Sequence, residues 1–430
     1  MNKLPFITED TVVFGILMII LGLIFYTSAS ENSKWKTFYK YIPALLLAYF
    51  IPAILSTNGI IAYQVKNELG EVIHQSQIYY IASRYLLPAS LVLMTLSIDL
   101  KAVFSLGSKA LIMFLTGTAG IIIGGPIAIM LVALVSPETV GGAGIDAVWR
   151  GLATLAGSWI GGGANQAAML EVYEYNQAKY AGMVVVDIVV ANLWMAVLLF
   201  GIGKNKAIDK WFKADTSAIE TLKNKVVAFA QKTAKQPTLT DYILMLSLAF
   251  GAVGIAHFGA NFLSSYLKNN VAVIANPKSF LSFMSSSFFW MITLATIMGI
   301  AASFTNLKKL EGAGASKIGS VFIYILVVSI GMRMDLRMAF ENPMLIVVGI
   351  VWMTIHALLL ITVAKLIKAP YFFLAVGSQA NVGGAASAPI VAAAFHPALA
   401  TVGVLLAVFG YVIGTFGAIL TAELMHIVAP

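Results

Sequence analysis

Cysteine is missing from all 430 residues, which removes disulfides, thiolate metal centres and cysteine nucleophiles from consideration. Charge is scarce too: 11% of residues are Asp, Glu, Lys or Arg, against about 25% in soluble domains. Signatures of soluble catalysis are absent, with no G-x-S-x-G elbow, no H-E-x-x-H, no P-loop and no dinucleotide G-x-G-x-x-G. Lacking a P-loop, the chain is not by itself an ATP-driven pump of the usual kind, and no enzyme class is indicated.

What the chain has in quantity is apolar surface: 60% of residues are hydrophobic and the mean hydropathy is +0.89. That composition is the one expected of a polytopic, all-α membrane protein. The net charge of +8 then reads as lysines and arginines gathered in cytoplasmic loops, not as a nucleic-acid footprint, and no nucleic-acid partner is expected. The polar lead before the first apolar run holds Glu9 and Asp10, whereas a signal peptide starts basic, so a retained first span is expected.

Spans need about 20 mostly apolar residues. Ten stretches qualify: 11–29, 41–57, 78–97, 109–135, 180–203, 241–266, 282–304, 317–334, 343–367 and 397–424. Two more, 146–176 and 370–395, are apolar but broken by glycine and amide residues. They carry Gly157-Ser158-Trp159-Ile160-Gly161-Gly162-Gly163-Ala164-Asn165-Gln166 and Gly377-Ser378-Gln379-Ala380-Asn381-Val382-Gly383-Gly384. Between residues 204 and 240 lies a basic linker, expected to be cytoplasmic with an amphipathic surface helix.

The linker divides two similar halves. Asp99-Leu100-Lys101 and Asp335-Leu336-Arg337 each close a span, and each is followed by one long span and then a broken segment. Duplication predicts matching sets of helices, 1–57 with 78–203 in one half and 241–304 with 317–430 in the other. If both broken segments cross the membrane, the halves lie parallel and several lysine loops face outward. If both are re-entrant hairpins, ten crossings remain and the halves become inverted. Both termini then lie outside, and the loops at Lys34–Lys40, Lys101–Lys109, Lys204–Lys235 and Lys308–Lys317 fall inside. The charge rule favours the inverted reading.

Candidate binding groups follow from the breaks. Ser158, Asn165, Gln166, Ser378, Gln379 and Asn381 are placed to meet a solute. Asn165, Asp187, Asn381 and Ser387 offer the hard oxygens that an alkali cation requires. Asp187 lies deep in an apolar span, where a carboxylate is costly and so marks either a site or a structural pair with Arg84. Weaker candidates are Asn192, Glu171, Glu174 and His356, the last expected to be a satisfied core histidine. Asp99 and Asp335 read as structural, and Gly120–Gly124 and Gly410–Gly414 as helix contacts.

The two Gly-Ser motifs, Val185-Val186-Asp187 and the run through Ala388-Pro389 together resemble the YjcL-like family of bacterial membrane proteins, long filed under unknown function. The resemblance spans nearly the whole chain. It implies membership of the cation:proton antiporter and anion transporter superfamily, with inverted repeats, discontinuous helices and elevator-type movement of a core against a scaffold that often dimerises. The expectation is a sodium-coupled, or proton-coupled, transporter of a small anionic organic solute in a bacterial inner membrane. It needs no cofactor beyond the coupling ion. A cation/proton antiporter without organic substrate is the alternative, and a receptor or membrane-embedded enzyme a more distant one.

Overall fold

The computed structural model describes residues 5–42, 44–66, 72–96, 103, 104, 106–217, 219, 236–276, 281–337, 342–396 and 399–430. Its long elements are helices at Asp10–Ser28, Ile78–Leu96, Ser108–Ala133, Tyr180–Ile202, Leu239–Asn270, Leu345–Leu366 and Ala400–Val428, all apolar and long enough to cross a bilayer. Ala44–Thr57 and Ser287–Ser303 reach that standard only with a neighbouring helix bent away from each by 81° and 97°, and Ala315–Gly331 has 17 residues. Those ten helices coincide with the ten expected spans, and the chain is a multi-pass membrane protein. The chemistry of the bends is local: Ser33–Tyr41 is a polar-apolar helix started by Asn32, whose side chain accepts from the Lys34 amide.

Two further elements turn back on themselves. In the helix recorded over Val148–Val172, Gly162 has φ 72° and ψ −173°, a conformation in effect closed to residues with a side chain. Trp149 and Tyr173, at opposite ends, have ring centroids 5.4 Å apart, and Arg150 donates to the Tyr173 carbonyl at 2.5 Å. A straight helix would hold those rings about 36 Å apart. Tyr371–Val382 and Gly384–Phe395 repeat the pattern about Gly384 at φ 55°, with the Phe372 and Phe395 rings 5.2 Å apart. Both broken segments are therefore helical hairpins, which resolves the choice that charge alone left open.

The hairpins open to opposite faces. The ends of the first lie with Pro430 and the start of the helix Asp10–Ser28: Asn176 reaches Asp146, the Asp335 amide donates to the Ala178 carbonyl, Gly141 abuts Pro430, Gln177 donates to Tyr79, and the Gln77 amide donates to Asp10. The ends of the second lie with the basic loops: the Tyr371 amide donates to Asp209, Lys109 to the Lys368 carbonyl, and Lys365 sits over the Trp211 ring. Of the linker, residues 204–217, 219 and 236–240 are described, with a helix at Asn205–Phe212; Glu220 through Lys235 lie outside the described residues, as does Asp99.

Candidate functional site

The hairpin tips meet inside the protein. A side-chain carbon placed on Gly384 would lie 3.9 Å from the Gly162 Cα, an ordinary contact distance, so the two turns touch, and their positive φ values are what call for glycine. Around that meeting point every polar residue expected from the two motifs is buried or half-buried. They form two clusters, one per hairpin.

Asp187 organises the first. Its Oδ2 accepts from Ser158 Oγ at 2.8 Å and Gln166 Nε2 at 2.9 Å, and its Oδ1 from the Trp159 indole at 2.7 Å. Ser158 and Trp159 precede the Gly162 turn and Gln166 follows it, so one carboxylate ties both limbs to the helix Tyr180–Ile202. Three charge-assisted hydrogen bonds leave one of the carboxylate's four acceptor positions open. Asn165 locks the turn from the other side. It donates to the Gly161 carbonyl at 2.9 Å and accepts from Thr415 Oγ1 at 2.5 Å.

In the second hairpin Ser378 holds the equivalent Gly-Ser position. The Trp194 indole donates to Ser378 Oγ at 2.8 Å, and Ser378 Oγ lies 2.8 Å from His356 Nε2. His356 Nδ1 faces the Gly117 carbonyl at 2.9 Å, which can only accept, so Nδ1 carries the proton and Ser378 donates to Nε2. Asn381 donates to the Phe114 and Gly377 carbonyls and accepts from Thr118, which joins this hairpin to the helix Ser108–Ala133. Gln379 donates to Ser387 Oγ at 2.6 Å, yet its Oε1 is buried without a hydrogen-bond partner among the described residues.

Two spans grip both hairpins. Asp187 and Trp194 are seven residues apart on one helix, about 700° of rotation and hence nearly one face. Trp352 and His356 do the same from Leu345–Leu366: Trp352 packs on Trp159 with centroids 5.0 Å apart, and His356 takes Ser378. The glycine rows make room for this. A side-chain carbon at Gly120 would strike His356, one at Gly124 Trp352, and one at Gly414 both Gly161 and Asn165.

Other sequence candidates lie elsewhere. Arg84 does not pair with Asp187; it donates to Glu171 at 2.5 Å near the hairpin's open end, with its guanidinium 4.4 Å over the Phe288 ring. Glu171 is accordingly engaged outside the tip region, and Glu174 is exposed beside it. Asn192 is exposed and bonds its own helix at the Ile188 carbonyl. Asp335 holds Arg337 through both carboxylate oxygens at the surface. Sequence reasoning missed Trp159, Trp194, Thr118 and Thr415. The two tryptophans carried a signal, since a buried indole N–H needs an acceptor; nothing in the sequence marks the threonines.

A family profile described as a protein of unknown function, DUF819, matches residues 15–428. The uncharacterized membrane protein YjcL of Bacillus subtilis (strain 168) is 24% identical over 375 residues, covering 85% of this chain and 87% of that protein. A match across nearly the entire chain, hairpins and gripping spans included, places this polytopic membrane protein in the DUF819 family.

Proposed function

We propose that the chain is a cation-coupled secondary transporter that moves a small anionic organic solute across a bacterial cytoplasmic membrane by alternating access. One observation carries the reading: two polar hairpins enter from opposite faces and their tip glycines, Gly162 and Gly384, abut. Non-helical backbone at membrane depth persists where protein or a water-filled path surrounds it, and paired broken helices are the usual seat of solute and ion.

The coupling ion, sodium ahead of a proton, is assigned to the tip oxygens. Gln379 Oε1 is a buried acceptor lacking a donor among the described residues, Ser387 Oγ lies beside the same amide, and Asn165 and Asn381 hold the two turns in shape. Asp187 supplies the fixed negative charge nearby and holds the first hairpin together. The solute is assigned to the hydroxyl and amide groups of Ser158, Gln166, Ser378 and Gln379 next to the half-helix ends. The core, 78–203 and 317–430, would move as an elevator against 1–57 and 241–304. A homodimer through the scaffold is part of this reading. No catalytic activity is assigned.

Uptake of a metabolite panel into proteoliposomes, with and without an inward sodium gradient, tests the reading. Sodium-driven uptake that is lost in Gln379→Leu and Ser387→Ala is expected. Sodium/proton exchange without any solute would replace this reading with the antiporter one. Absence of both, with no sodium-dependent thermal stabilisation, would reject cation coupling.

A further inference from the structure

A second site lies away from the tips, in a cavity of about 590 Å³ on the face at which the first hairpin opens. The wall is built, not incidental. The helix Ile78–Leu96 contains a π turn over Ala82–Leu86, a distortion that re-aims side chains and recurs at functional sites. It sets Ser83 and Arg84 into the wall, where Arg84 is held by Glu171.

Arg333 forms the opposite wall, its guanidinium stacked between the Tyr63 and Tyr79 rings at 4.1 and 4.2 Å. Stacking occupies the two faces of the guanidinium plane and leaves its N–H edge unused. Among the described residues that side chain has no hydrogen bond or ion pair. The third element is Gln177, which donates to Tyr79 and Glu171 while its buried Oε1 has no partner among the described residues. The cavity thus offers a planar cationic edge that fits a carboxylate and a buried acceptor that needs an N–H or O–H donor. Exposed Glu174 and the Glu171 carboxylate at the same rim favour a positively charged donor.

We infer that this cavity binds a small amino carboxylate, with the carboxylate on Arg333 and the ammonium on Gln177 Oε1. The inference is independent of the transport reading. Saturation-transfer NMR on the purified full chain in nanodiscs tests it, with alanine, N-acetylalanine and alaninamide as probes. Alanine should give a transfer signal that falls at least fivefold for each analogue, since each lacks one of the two charges. Arg333→Gln should abolish the signal and Arg333→Lys reduce it. Arg337→Gln, four residues on in the sequence and paired with Asp335, should leave it unchanged. Ser387→Ala at the tips should also leave it unchanged, which separates this site from the proposed transport site. Melting curves identify any variant that fails to fold, and Gln177→Leu then takes the place of the Arg333 variants. No signal with alanine, equal signals for all three probes, or binding that survives Arg333→Gln in folded protein would overturn the assignment.

Discussion

Replacing Asp187 tests most directly how the first hairpin is held. Asp187→Ala leaves three buried donors, Ser158 Oγ, the Trp159 indole and Gln166 Nε2, without their acceptor. Each buried donor so orphaned costs about 1–3 kcal/mol, and water entering the vacated space recovers part of that, so about 3–5 kcal/mol is expected. Asp187→Asn keeps one acceptor oxygen but turns an N–H toward a donor and removes the charge, so about 2–3 kcal/mol is expected. Unfolding entropy per residue in soluble proteins, scaled to this length, gives about 1 °C of melting shift per kcal/mol. Spans that stay helical on unfolding gain less entropy, so the shifts should exceed that scale: at least about 3–5 °C for Asp187→Ala. The assay is thermal unfolding of detergent-solubilised protein followed by intrinsic fluorescence, to which Trp159 reports. Asn192→Ala, exposed on the same helix, is the control and should stay within about 0.5 kcal/mol. Asp187→Ala melting with the control would refute the pinning role, and Asp187→Asn melting with wild type would show that the charge contributes nothing.

Three further outcomes are expected. In a chain free of cysteine, Phe372→Cys with Phe395→Cys should join efficiently through a short bifunctional thiol reagent, whereas a continuous helix would hold the pair about 35 Å apart and give no product. Gly162→Ala should cost about 1–3 kcal/mol and displace the tips, and Gly384→Ala about 1–2 kcal/mol, each lowering solute uptake more than the surface change Asn192→Ala. Ser378→Ala removes the hydroxyl that joins Trp194 to His356 and should destabilise by about 1–3 kcal/mol, readable as a lower melting temperature with the 356 imidazole newly accessible to diethylpyrocarbonate.

The ten spans were legible because hydrocarbon imposes one requirement, about 20 apolar residues, that sequence displays directly. The hairpins were half legible: glycine and amide runs announced a break, and lysine placement favoured reversal, but chain direction after Gly162 or Gly384 depends on what packs behind the turn. Asp187 was visible as an anomaly, while its partners were not. Ser158 and Gln166 stand out in the sequence as polar groups at the break, but their bonds to the Asp187 carboxylate, 29 and 21 positions away, do not. The pairing of Asn165 with Thr415 and of Asn381 with Thr118 joins residues more than 240 positions apart, and no local pattern encodes it.

The helix that seats the first hairpin is synthesised long after it. Gly410, Gly414 and Thr415 of Ala400–Val428 lie against Ile160, Gly161 and Asn165. Each limb of the second hairpin has 12 residues, about 18 Å of helix against a hydrocarbon thickness of about 30 Å, and carries Gln, Asn and Ser. Such a segment cannot enter lipid by itself. During biogenesis the first hairpin must therefore wait, sheltered at the interface or by the insertion machinery, until some 250 further residues have emerged. Truncations that stop before Ala400 should leave both hairpins open to protease, and protection should appear only once the helix Ala400–Val428 has been made. The order of translation thus runs against the order of assembly, and the centre of the protein closes only when a helix made some 250 residues later arrives.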